Sequence, residues 1–182
     1  IDEIGSVAKV FEKERITIED GKVMERVIVD ADDSYFSLTK FKNGAVGFTA
    51  FSYALHGEPT SLGGGRVIYG SKGCIKGSEV ILEDGTRLKM EDLFEKEAST
   101  NDKEKLFPMG ITNPFALETY DWLKAIEDGR ESKVSGRVGL RDLACAYAVL
   151  ESFYLHRQVK LSDVESGAIE NYQKEINEHY KL

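Results

Sequence analysis

The sequence is short of cysteine and of positive charge, and it lacks the motifs by which most enzymes announce themselves. Two cysteines in 182 residues, Cys74 and Cys145, are too few for a disulfide framework. Cys145 falls within an apolar helical stretch, where a thiol serves as a small buried hydrophobe. Lys and Arg total 24 against 32 Asp and Glu, a formal net charge of −8. That balance removes the basic footprint needed to hold nucleic acid or an anionic membrane. No apolar run approaches the length of a membrane span, and the opening residues IDEIGSVAKV carry no signal-peptide pattern. A cytoplasmic protein is therefore expected. There is no G-x-G-x-x-G, no H-E-x-x-H, no paired Cys and no G-x-S-x-G. The three histidines, His56, His156 and His179, lie far apart. The last two fall at predicted helix ends, where the helix dipole accounts for them.

What remains is ordinary for a globular protein: 41% hydrophobic, 31% charged and 17 Gly. The length suits one domain, residues 1–182, with a self-sufficient core. The chain begins with Ile1 rather than Met, and we expect it to be a piece of something longer or a processed product.

The first part of the chain reads as strands. Ser6–Thr17 mixes β-branched and aromatic residues with Lys and Glu, as a half-exposed strand does. Asp20-Gly21 turns it into a second strand, Val23–Val29. Asp30, Asp32 and Asp33 then crowd into five residues. The EF-hand pattern fails there, so a solvated turn is expected, with a hard-cation site as the alternative. Tyr35–Phe41 alternates, with Phe36, Leu38 and Lys40 on one face. Asn43-Gly44 predicts a two-residue hairpin turn with positive φ at both positions. The return strand, Ala45–Ala54, puts Val46, Phe48 and Ala50 on one side and Phe51 and Tyr53 on the other. With large apolar groups on both faces, one face should cover helices and the other should meet something else, such as another chain. Association through it would bury at least roughly 1,000 Å² in total. His56, at a strand end beside Gly57, is the candidate pocket donor or acid; the alternative is a partly exposed loop residue.

Gly63–Lys89 is predicted to be a glycine-rich meander of three strands. Within it, Gly65–Lys72 nearly spells the phosphate-binding G-x-x-x-x-G-K-[ST], but Ser71 and Lys72 stand in the wrong order. No helix is predicted to follow, so a hairpin is the better reading. With no crossover helix from Tyr35 to Lys89, a parallel dinucleotide-binding sheet is excluded there. Glu91–Glu97 is a short helix, Ser99–Lys105 a polar stretch, and Leu106–Ile111 an apolar loop expected on the sheet or lining a cleft. Asn113-Pro114 caps a helix closed by Gly129. Ser135-Gly136 starts a second helix whose apolar stripe is rich in small residues and suits close packing on a sheet. Val159–Leu161 is one more short strand. From Ser166, Ile169, Tyr172, Ile176 and Tyr180 share a face and predict a docked terminal helix. The fold class is α+β: a large open, mainly antiparallel sheet with helices on one face and no Rossmann domain.

The order of segments VDADDSYFSLTKFKNGAVG, RVIYGSKGCI and EVILEDGTRL, followed by the helical block from ALETYDWLKAIEDGRESKVSG to YLHRQVKL, resembles the C-terminal half of the Gfo/Idh/MocA oxidoreductases. The likeness runs from about Ser6 to Asp163. It implies a parent protein whose N-terminal Rossmann domain binds NAD or NADP, while this half shapes a sugar or polyol pocket and supplies a homo-oligomer interface. The family's catalytic Lys lies in an E-K-P motif. Here Glu12-Lys13-Glu14 lacks the Pro and falls in a predicted strand, so no catalytic, cofactor-binding or metal-binding residue is carried over, and the chain alone is expected to be inactive and to bind no cofactor. His56 and its loop are the nearest candidates for contact with substrate. The competing reading is a free-standing binding or dimerisation module without a redox half.

Overall fold

The computed structural model describes residues 1–54 and 65–181. In chain order the first elements are β1 (Glu3–Lys9), β2 (Glu14–Glu19), β3 (Lys22–Ile28), β4 (Ser34–Lys40), β5 (Val46–Ser52), β6 (Val67–Gly70), β7 (Gly73–Lys76), β8 (Glu79–Leu82) and β9 (Arg87–Lys89). They are followed by α1 (Met90–Glu97), α2 (Thr100–Leu106), α3 (Pro114–Asp128), α4 (Gly136–Leu155), β10 (Val159–Lys160), α5 (Leu161–Glu165) and α6 (Lys174–Tyr180). Two compact units result: residues 1–60 with 136–182, and residues 61–135. Every strand pairing is antiparallel, and among the described residues there is neither a parallel pair nor a closed barrel.

The first unit is a four-stranded sheet, β10-β1-β4-β5, with a separate ribbon, β2-β3. Helix α4 lies on β1. Its Ala144 and Ala148 are buried with Ile4, Val159, Leu161, Val164 and Ile169 to make the core. Small side chains let helix and strand approach closely enough for polar ties. The Ser6 amide donates to Ser152 Oγ at 3.0 Å, and the Ser6 hydroxyl donates to the Val149 carbonyl.

The expected strand Ser6–Thr17 is interrupted, and the cause is Asp33. Its carboxylate accepts the amides of Phe11 (3.0 Å) and Glu12 (2.9 Å), which turns the chain between β1 and β2. Glu12 and Lys13 therefore precede β2 rather than lying in a strand. Asp33 is buried with Ser34, whose hydroxyl donates to Asp33 Oδ1 at 2.8 Å and lies 2.5 Å from Ser52 Oγ. Asp33 is thus an internal clamp, while Asp30 stays exposed and Asp32 half-buried, so the solvated turn expected of the acidic cluster holds for only part of it.

The β4–β5 turn is longer than the two residues expected. Phe41 and Ala45 close it (2.9 Å), Asn43 Oδ1 accepts the Ala45 amide (3.1 Å), and only Gly44 takes a positive φ, 85°. This is a three-residue loop, with Gly44 as its left-handed residue. The tail also differs: Ile169 and Tyr172 dock within the turns before α6, and α6 itself buries nothing.

The second unit is the meander β6-β7-β8-β9. It has one strand more than expected, because Gly77-Ser78 forms a further tight turn, with Gly77 at φ 59°. The stretch from Ser99, read as merely polar, is helix α2. Ser99 Oγ accepts the Asp102 amide and the Asp102 carboxylate accepts the Ser99 amide, a reciprocal capping box. Leu106–Ile111 takes the second of its expected places, along a cleft: Leu106 and Pro108 border one groove, and Phe107, Pro108, Met109 and Gly110 border another. Phe107 meets the Phe94 ring edge-on at 5.8 Å, while Met109 sits at φ 57° and is 86% exposed. Helix α3 starts and ends as expected: Asn113 Oδ1 accepts the Ala116 amide, and Gly129 closes it at φ 63°.

Candidate functional site

The most distinctive surface of the first unit is the sheet face turned away from α4. Pairing sets Val7 opposite Phe36 and Phe36 opposite Ala50; in the next row Leu38 faces Phe48, and Lys40 faces Val46 beyond it. Val7, Phe36, Leu38, Val46 and Phe48 are all exposed, Leu38 at 62% and Val46 at 83%. They form one contiguous apolar field, bounded at one end by the Lys40–Glu3 ion pair (3.3 Å). Alternation along β4 and β5 made this face legible in the sequence. Apolar fields of this kind are characteristic of protein–protein contact.

On the other face, Glu151 is fully buried on α4. Its Oε1 accepts the Tyr172 amide at 3.0 Å, and its Oε2 has no partner. Nearby, burial first and then the Asp32 charge and Tyr147 push the Tyr172 phenol up. Asp32 is itself raised, by burial and by the neighbouring Asp33. For Asp33, burial acts upward, but the Glu12 and Phe11 amides and the Ser34 hydroxyl together hold its carboxyl below the ordinary range. Sequence reading passed over Glu151. The available signal was its seven-residue spacing from Ala144, which places a carboxylate on the helix's buried stripe.

The second unit holds a groove of about 590 Å³ lined by Lys105, Tyr120, Asp121, Lys124, Arg130 and Lys133, among others. Asp121 organises one wall. The Lys133 amide (2.8 Å), the Ser132 hydroxyl (2.8 Å) and Arg130 (2.9 Å) bind its carboxylate and, against burial, hold its pKa down to about 2. Arg130 is also paired with Asp128, and Lys124 with Glu127. Arg130 and Lys124 are therefore neutralised locally.

The near-P-loop is a hairpin. Ser71-Lys72 is the turn between β6 and β7, and the residues after it continue as strand. Of the three histidines, His56 lies outside the described residues. His156 follows the end of α4 at φ 53°, and His179 is in the last turn of α6. Among the described residues no cluster of His, Cys, Asp or Glu is arranged to hold a metal ion, and no helix is long and apolar enough to cross a membrane. Burial pushes the Cys145 thiol up, in keeping with a packing role.

An open antiparallel sheet with a helix on one face and an apolar field on the other defines an α/β domain. The chain belongs to the Gfo/Idh/MocA oxidoreductases: the profile described as "Oxidoreductase family, C-terminal alpha/beta domain" matches residues 6–161. A sequence comparison with curated proteins gave no match. Among solved structures, the fold is similar to that of an oxidoreductase from Agrobacterium radiobacter in complex with NAD+, L-tartaric acid and magnesium, at 20% identity and TM-score 0.54, over 89% of this chain and 44% of that one. It is also similar to levoglucosan dehydrogenase in complex with NADH and L-sorbose, at 19% identity and TM-score 0.54, over 88% and 44%. A third likeness is to an oxidoreductase domain protein from Kribbella flavida, at 18% identity and TM-score 0.52, again over 88% and 44%. The chain thus spans under half the length of these neighbours.

Proposed function

We propose that residues 1–182 are the substrate-side and self-association half of an NAD(P)-dependent oxidoreductase acting on a sugar or polyol. The observation that carries this reading is the family match over residues 6–161 of a chain that spans 44% of its NAD-complexed neighbours. Two of those neighbours hold polyhydroxylated small molecules, L-tartaric acid and L-sorbose, beside the dinucleotide. In the parent protein, hydride would pass between a carbinol carbon and the nicotinamide, with the protein orienting both. An N-terminal Rossmann half of that protein would hold the cofactor and the catalytic groups. This half would close the pocket, with His56 and its loop nearest the substrate, and would associate through the field around Leu38 and Phe48.

On this reading the chain alone is inactive and binds no dinucleotide. Calorimetry of the chain with NAD and NADP should show no binding; micromolar affinity would overturn the reading. The protein encoded by the complete gene should reduce NAD(P) with a polyol panel. The free-standing module draws support from the exposed apolar field, which suits self-association without any redox partner. The upstream coding sequence separates the two: a G-x-G-x-x-G after a predicted strand supports the enzyme, and a start codon just before Ile1 supports the module.

A further inference from the structure

We propose that residues 166–181 form a latch that lifts from α4 as a unit, with the buried Glu151 carboxylate as the group that sets its release. The Ser166 and Gly167 amides continue from α5 by donating to the Ser162 and Val164 carbonyls, both at 3.1 Å, and beyond this hinge few ties hold the segment down. Ile169 enters the core and its amide donates to the Asp163 carbonyl at 3.0 Å. The Tyr172 amide donates to Glu151 Oε1, and the Tyr172 ring lies 6.4 Å from that of Tyr147. Beyond Tyr172, α6 buries no residue, and its side chains tie within the segment, Asn177 to Glu170 at 2.9 Å and Lys174 to Glu178 at 3.8 Å.

The closed position carries a built-in opposing cost. Glu151 is wholly buried, yet only one of its oxygens is bonded. A buried polar oxygen without a partner is destabilising, and more so when it belongs to an ionised group. Lifting the segment returns water to that oxygen and offsets part of what is lost as Ile169 leaves the core. The segment is thus drawn from the low-stability end of the fold, where cooperative local opening occurs well below global unfolding. Opening uncovers the side of α4 that carries Glu151 and Tyr147.

Native-state amide exchange on the intact chain tests this. The Ile169 and Tyr172 amides should exchange together, at least roughly a hundredfold faster than that of Ala148. Glu151→Gln keeps an acceptor for Tyr172 and cannot ionise, so it should slow exchange at Ile169 and Tyr172 about tenfold and leave Ala148 unmoved. Ile169→Ala should accelerate Tyr172 and its own amide by the same factor. Equal protection at Tyr172 and Ala148, faster exchange in Glu151→Gln, or unequal responses to Ile169→Ala would each overturn the proposal.

Discussion

Gly73 lies against the backbone of Ile81 so closely that a Cβ at Gly73 would come within 2.1 Å of the Ile81 carbonyl oxygen. Its φ is 145°, a region side chains rarely adopt. Both facts come from the tight β6–β7 turn lying beside β8. The expected result is that Gly73→Ala destabilises the second unit by about 3 kcal/mol, since steric overlap and backbone strain act together. Gly70, one turn away, would place a Cβ at an ordinary 3.7 Å from Gly73 O, so Gly70→Ala should change stability by less than about 1 kcal/mol. Urea titrations of the two variants check this. Equal effects would show that the close approach is not what requires glycine.

Asp121 makes stability depend on acid. Its folded pKa of about 2 lies below the ordinary 3.8, so between those values the unfolded chain binds more protons and stability rises with pH. The contribution is complete above about pH 4 and is lost as pH falls toward about 2. Asp121→Asn should therefore melt below the unsubstituted protein at about pH 6, with the two curves converging near about pH 2. An unchanged gap at low pH would mean that the carboxylate's charge is not what ties Lys133, Ser132 and Arg130 together.

Ala148 is fully buried against the sheet, on the turn of α4 that also carries Ser152 and its bond to Ser6. Ala148→Leu pushes the helix away and should cost about 1–3 kcal/mol by overpacking. The Ser6 amide would then lose its acceptor, so its exchange should quicken as the denaturation midpoint falls. A midpoint unchanged from the parent would mean that α4 has slack on β1.

These positions also mark how far the sequence could be read. Alternation in β4 and β5, the Asn113-Pro114 start, the Gly129 stop and the small-residue stripe of α4 are local signals, and the elements formed where those signals stood. The family likeness, carried by the order of segments, agreed with the profile match over residues 6–161. What escaped reading depended on partners distant in sequence. Asp33 breaks a strand 22 residues earlier by taking the Phe11 amide, and no local pattern encodes that. Glu151 meets Tyr172 21 residues later. The capping box of α2 was local and visible as Ser99 and Asp102, but a run with no apolar periodicity hid the helix behind it. His56, the one pocket candidate, lies outside the described residues.

The apolar field on the open sheet face gives the most direct test of self-association. Leu38 and Phe48 are register partners at its centre, and both are exposed. Because they point away from α4, charged replacements there leave the core that holds Ile4, Ala144 and Ala148 untouched. If the face is a contact between copies, the parent chain should sediment as a dimer or larger species at high concentration, since a stable contact needs on the order of 1,000 Å². The double variant Leu38→Glu, Phe48→Glu should sediment as a monomer, because like charges brought together and desolvated oppose association. Its far-ultraviolet dichroism should match that of the parent, and its thermal midpoint should lie close by. A parent chain that stays monomeric at high concentration would remove the interface reading. A double variant that still associates would place the contact on another surface.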